Sequence, residues 1–338
     1  MPTFQSLIPG SILALTEPAA LDPSVHRWSQ QEIDALTLAH AAQRPLLVRG
    51  EPGTGKTQLA RAAAQHLGWA LLSETVHPRF EPQDLVYRFD AVRRLADAQS
   101  GKLSGKLSTK FDYWEPGPLW RAYGWASACR YGSCRGQAPS VGHVILIDEI
   151  DKADSDLPNS LLEVLGQRSF NIAALRLNVG GSALPAEQRP LVIVTTNEER
   201  ELPAAFLRRC IVLSLAAADG ASYREWLIQR AEAHFGARPA HADQPAQPAL
   251  LSTDEVIAPA ADQLLADRAA AVDAGLNPPG PAEFLDLLYA LHRLAPHDAD
   301  TQRQWIARLS AYAFIKHGQV NDRAELSQQR KPLADAQP

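Results

Sequence analysis

The stretch Leu46-Leu47-Val48-Arg49-Gly50-Glu51-Pro52-Gly53-Thr54-Gly55-Lys56-Thr57 decides the fold. A short apolar strand, predicted over Pro45–Arg49, runs straight into Gly and Pro, and a helical period over Leu59–Leu67 follows until Gly68 stops it. Between them, Gly50 to Thr57 fits GxxxxGK[ST] without a gap. The glycines let the backbone turn tightly, so that successive N–H groups face inward toward phosphate oxygens. The helix that follows adds its positive N-terminal end. Lys56 is placed to reach the β- and γ-phosphates of a nucleoside triphosphate, and the Thr57 hydroxyl to ligate Mg²⁺. Gly50, Glu51, Pro52, Gly53, Thr54, Gly55, Lys56, Thr57 and Gln58 are the expected cofactor-binding stretch, with ATP and Mg²⁺ the expected cofactors. The loop reads phosphates and does not distinguish adenine from guanine.

A second apolar run, Val144-Ile145-Leu146-Ile147, ends in Asp148-Glu149. A carboxylate pair at the C-terminal end of a buried strand lies where α/β sheets bind their ligands. Asp148 is expected to hold Mg²⁺, directly or through water, and Glu149 to polarise the attacking water as general base. Thr195-Thr196-Asn197 closes the next buried strand, and an Asn there can hydrogen-bond the γ-phosphate and orient that water. Arg208-Arg209 closes a short helix before the last strand. With the sheet so wound, the pair does not reach the nucleotide of its own subunit. It can reach a neighbour's and neutralise transition-state charge in trans, Arg209 being favoured over Arg208.

Around these motifs, strands alternate with helices, the pattern of an α/β fold with a largely parallel sheet. Ser29 and Glu32 form a capping-box pattern that opens a helix through about Gln43. Trp69–Thr75 reads as a strand, Asp84–Ala98 as one helix with Leu85, Phe89, Val92 and Leu95 inward, and Pro118–Ala128 as another. A helix is predicted from Asp156 to Leu165, a hairpin over Phe170–Val179 turning at Gly180-Gly181, then strands Leu191–Thr195 and Ile211–Leu215. After Ala216 helices dominate, interrupted by the Pro-rich loop Ala237–Pro248 and the turn Asn277–Pro281. The predicted division is an N-terminal arm (1–26), an α/β nucleotide-binding domain (27–217), an all-helical domain (218–320) and a disordered tail (321–338).

The 338 residues carry a formal net charge of −5 with 46% hydrophobic residues, enough for one full core and a smaller second one. The acidic balance argues against a dedicated nucleic-acid binder. No apolar run approaches the roughly 18 residues of a membrane span, and no Lys or Arg precedes Arg27, so neither a membrane span nor a secretory signal is expected and the predicted location is cytoplasmic. Cys129, Cys134 and Cys210 form no disulfide or zinc framework. The aromatic group Tyr113, Trp114, Trp120, Tyr123 and Trp125 is read as packing, Lys102, Lys106 and Lys110 as a solvated loop, and His143 as a packed histidine.

In this order and spacing the motifs resemble the AAA+ ATPases, and more narrowly the MoxR-like group, over roughly Ser29 to Lys316. Glu51–Thr57, Pro116-Gly117-Pro118-Leu119-Trp120, Asp148-Glu149-Ile150-Asp151-Lys152-Ala153, Asn197-Glu198-Glu199-Arg200 with Leu202-Pro203, and Phe206-Leu207-Arg208-Arg209 carry the resemblance. It implies the AAA+ P-loop NTPase fold, a five-stranded largely parallel sheet between helices with a C-terminal helical lid. It further implies a hairpin near Phe111–Glu115, the sensor 1 role for Asn197, a trans finger at Arg209 or Arg208, and a homo-oligomeric ring, usually hexameric. By resemblance alone, a partner bearing a von Willebrand factor A domain is implied. One departure stands out: no basic residue occurs from Asn277 to Leu291, where the family usually carries its sensor 2 arginine. Either Arg293 or an arginine of a neighbouring subunit then substitutes, or lid closure is less coupled to the γ-phosphate; the role is left unassigned. The leading expectation is an ATP-hydrolysing motor or chaperone that remodels a protein partner. The alternatives are a nucleic-acid-directed NTPase motor of a defence system and a slow-turnover nucleotide-dependent switch or scaffold.

Overall fold

The computed structural model describes residues 3–15, 24–99, 113–131, 140–154, 156–180, 189–215, 221–237 and 248–314. The chain divides into two compact units. One comprises Met1–Leu15, Trp28–Gly50 and Lys56–Leu215; the other comprises Thr16–Arg27, Glu51–Gly55 and Ala216–Pro338. Among the described residues no helix is long and apolar enough to cross a membrane.

In the first unit, helix α1 (Gln30–Ala42) begins at Ser29 with the predicted capping box and ends at Gln43 in the left-handed region, φ 54°. Strand β1 (Leu46–Arg49) leads toward α2 (Lys56–Leu67), followed by β2 (Ala70–Thr75) and α3 (Ala91–Gln99). Helices α4 (Pro118–Tyr123) and α5 (Trp125–Ala128) come before β3 (His143–Asp148) and α6 (Asp156–Gln167). Strand β4 (Leu191–Thr196), α7 (Ala204–Leu207) and β5 (Ile211–Ser214) complete the unit. The five strands pair in the order β5-β1-β4-β3-β2, and every pairing is parallel.

This is the expected α/β architecture, a five-stranded parallel sheet between helices. Its strands can be apolar throughout because both sheet faces are covered. Alternation along them sends Leu47, Ile145, Ile147, Val192 and Val194 into one core with Leu119, Trp120 and Phe206. Leu46, Val48, Val144, Leu146 and Ile193 enter the other core, against Leu36 of α1 and Leu59 and Ala63 of α2. In the second unit, α8 (Ala221–Phe235), α9 (Ala258–Asp273), α10 (Pro281–Leu294) and α11 (Ala299–Ala313) surround a core that includes Leu227, Phe235, Leu264, Phe284 and Leu288.

Several local expectations are corrected. Asp84–Ala98 is not one helix. Pro82–Leu85 is a 3-10 turn, Tyr87–Phe89 pairs antiparallel with Trp114–Pro116, and only α3 is helical. The Tyr-Arg-Phe run favours an extended backbone, and Asp90 starts α3 by accepting the Arg93 N–H at 2.8 Å. Val92 and Leu95 are 80% and 60% exposed rather than inward. The helix expected over Pro118–Ala128 breaks at Gly124 into α4 and α5. The hairpin Ser169–Ile172 with Leu177–Gly180 turns at Ala173–Leu175 and Arg176, and Gly180 pairs with Ser169 instead of turning. Within the stretch expected to be an arm, Phe4 and Leu15 are buried in the first unit.

Tyr113, Trp120 and Tyr123 are buried, and Trp114 and Trp125 pack against the same core. His143 lies 5.3 Å from Trp125, ring to ring, and burial, aided by Arg121, lowers its pKa to about 4, so the ring is neutral. The Cys210 thiol is pushed up to about 12 by burial. Lys102, Lys106, Lys110, Phe111, Cys134, Gly181 and the tail 321–338 lie outside the described residues.

The contrast between two neighbouring stretches is testable. Leu119 is 1% exposed, so Leu119→Ala should cost about 2–5 kcal/mol. Val92→Ala should stay within about 0.5 kcal/mol of the parent. Urea unfolding of the two variants decides, and a Val92→Ala cost equal to that of Leu119→Ala would mean that α3 packs inward.

Candidate functional site

The register of the sheet brings the motif residues of the first unit together. Thr196 of β4 is level with Arg49 of β1, and Val194 is level with Ile147 of β3. The first polar groups beyond each apolar run therefore emerge at the same edge. Lys56, the first residue of α2, is buried and donates from Nζ to the Gly50 carbonyl at 2.6 Å. Burial lowers its pKa, while Asp148, Asp151, Glu149 and Glu198 pull it back up. An ammonium thus sits among four carboxylates at the sheet edge.

Thr57 and Asp148, the two expected metal ligands, face each other, the hydroxyl donating to Asp148 Oδ2 at 2.9 Å and lying 3.2 Å from Oδ1. A hydroxyl and a carboxylate converging from α2 and β3 suit a hard cation that prefers oxygen donors. The pair fits Mg²⁺, with the remaining positions left to water and phosphate oxygens.

Glu149 follows Asp148 in a left-handed conformation, φ 60°. Its N–H donates to Thr195 Oγ1 at 2.9 Å, and the same hydroxyl donates to Asp148 Oδ1. Asn197 Nδ2 donates to Glu149 Oε1 at 3.3 Å, and Lys152 Nζ lies 3.5 Å from Glu149 Oε2. The loop bearing Asn197 is itself held, because Asp151 Oδ2 accepts the N–H groups of Asn197 (3.2 Å) and Glu199 (2.9 Å). The cluster can place a carboxylate and an amide on either side of a water.

Thr195, Asp151 and Lys152 thus have positions that sequence reasoning did not assign. The available signal was the hydroxyl that immediately precedes the Thr196-Asn197 strand end. Arg208 and Arg209 are exposed; their carbonyls accept hydrogen bonds from Arg44, and their side chains make no ion pair or hydrogen bond among the described residues.

In the second unit, Glu51–Gly55 meets the helical bundle. Gly53 (φ 79°) and Gly55 (φ 95°) are in the region that favours glycine. A Cβ on Gly53 would lie 2.4 Å from the Ala282 nitrogen and 2.7 Å from its Cβ, at the start of α10. One on Gly55 would lie 2.8 Å from Arg230 Nη2. Arg230 of α8 donates to the Thr54 carbonyl at 3.0 Å, and Arg268 of α9 donates to Glu51 Oε1 at 2.8 Å. The basic groups beside this segment therefore come from α8 and α9. Arg293 lies in the last turn of α10, at the opposite end from Ala282.

Residues 45–210, just under half of the chain, match the family model of the AAA domain, dynein-related subfamily. A crystal structure of a candidate ATPase from Cytophaga hutchinsonii is similar at 14% identity, with 88% of this chain and 84% of that chain covered and a TM-score of 0.36. That similarity is too low to carry fold or function. No curated protein matches the chain.

Thr195 is fully buried and serves both Asp148 and the Glu149 N–H. Thr195→Val keeps the shape but strands that N–H, and should cost about 1–3 kcal/mol in chemical unfolding. Thr195→Ser should recover most of the loss. Equal stability of the valine variant and the parent would remove the hydroxyl from this account.

Proposed function

From an AAA domain with this edge geometry, we propose that the protein is a Mg²⁺-dependent ATPase of the MoxR-like kind, a motor or chaperone that remodels a protein partner. The observation that carries the reading is the convergence of Lys56, Thr57, Asp148, Glu149 and Asn197 at one sheet edge, joined by Thr195. Lys56 and the loop glycines would hold the phosphates. Thr57 and Asp148 would hold the metal, which supplies Lewis-acid polarisation of the phosphoryl oxygens. Glu149 accepts the proton of the attacking water at its carboxylate, while Asn197 fixes that carboxylate and the water. In this reading Arg209 or Arg208 serves the neighbouring subunit of a homo-oligomeric ring, and the protein acts with a partner bearing a von Willebrand factor A domain. The exposure of both arginines supports a role outside their own subunit. The burial of Tyr113, Trp120 and Tyr123, with Trp114 and Trp125 packed against the core, favours a protein client over a nucleic-acid strand.

Two substitutions separate binding from chemistry. Lys56→Ala should abolish nucleotide binding in a fluorescent-nucleotide titration. Glu149→Gln should bind as the parent does and hydrolyse about 10²–10⁴-fold more slowly. A Glu149→Gln protein with parental turnover would reduce that residue to a strand-end carboxylate.

Assembly has its own test. Mixing inactive Lys56→Ala and Arg209→Ala proteins should restore part of the activity, because some interfaces then pair an intact site with an intact finger. Absence of recovery in demonstrated co-assemblies would sink the trans finger at Arg209, and the same experiment with Arg208→Ala tests its neighbour.

A further inference from the structure

We propose that Arg268 is a positioning residue that cancels the charge of Glu51, so that the loop of residues 50–57 can receive a polyanion. The proposal rests on the nucleotide-binding reading above. Glu51 is the sole carboxylate between Gly50 and Thr57, and half of its side chain is exposed. A negative charge in a loop built to surround phosphates opposes its ligand unless a cation is held against it.

Arg268 is held there by more than the ion pair. Its Nη2 donates to Glu51 at 2.8 Å, its Nη1 donates to the Pro279 carbonyl at 2.9 Å, and its guanidinium stacks 5.3 Å from the Tyr223 ring. Tyr223 in turn stacks on Trp226, with centroids 5.8 Å apart and planes 12° from parallel. Arg230 lies 5.4 Å over Trp226 and donates to the Thr54 carbonyl. Tyr223, Trp226 and Arg230 are spaced along one face of α8. The result is a ladder of guanidinium, phenol, indole and guanidinium whose two charged ends both rest on the Glu51–Gly55 segment. Arg268 neutralises the one charge the segment carries, and Arg230 places a second guanidinium beside Gly55. Both guanidinium groups beside the segment therefore come from α8 and α9.

The test is a double-mutant cycle on the full chain, read as the affinity for a fluorescent ATP analogue with Mg²⁺. Arg268→Gln keeps a donor for Pro279 but removes the charge, and should weaken binding about tenfold. Glu51→Gln alone should tighten binding about threefold, since it leaves Arg268 unopposed beside the phosphates. In the Arg268→Gln, Glu51→Gln double variant, affinity should return to within about threefold of the parent. A purely structural role for Arg268 predicts no such return, because removing the Glu51 charge does not rebuild the contacts to Pro279 and Tyr223. The proposal is overturned if the double variant binds as weakly as Arg268→Gln, or if Glu51→Gln weakens binding. The second outcome needs only a substitution at an exposed side chain, so it decides even where Arg268→Gln does not fold. A parent protein that binds no nucleotide would instead overturn the functional reading itself.

Discussion

The parallel pairing of β4 with both β1 and β3 is the constraint on which the site depends. Parallel strands in register end at a common level, so three apolar runs deliver their first polar residues to one edge. The Thr195 hydroxyl turns that level edge into a connected network. It donates to the Asp148 carboxylate and accepts the Glu149 N–H. Slipping β4 by one residue would exchange every inward and outward side chain, removing the hydroxyl and opening both cores together.

The edge also stores backbone strain in matched positions. Glu149 after β3 and Glu198 after β4 are both left-handed, at φ 60° and 62°, and each donates its N–H to a threonine hydroxyl of β4, Thr195 or Thr196. Left-handed conformations are costly for residues with a Cβ and persist where surroundings fix them. Here two neighbouring hydroxyls fix two glutamates. The carboxylate of Glu149 is therefore aimed by its main chain as well as by Asn197 and Lys152.

Much of this was legible in the sequence because the signals were local. The Ser29–Glu32 capping box, the buried runs that became β1, β3 and β4, and the Gly50–Thr57 spacing each report a short-range rule, and each element formed where expected. The misreadings fell where partners lie far along the chain. Tyr87–Phe89 satisfied helical periodicity but is extended, because Trp114–Pro116 pairs with it. The contacts of Arg268 with Glu51 and of Arg230 with Thr54 join residues distant in sequence. No periodicity announces such contacts. Asp151 lies in the acidic strand end that carries the resemblance, and its carboxylate holds the backbone of Asn197 and Glu199.

The approach of Gly53 to Ala282 carries a consequence for how this sequence can drift. The two residues belong to segments far apart in the chain, and the space between them is already filled by the main chain and Cβ of Ala282. A side chain at 53 has to displace the main chain of Ala282. A lineage losing the glycine at 53 would thus first have to shift the start of α10, far along the chain from that loop.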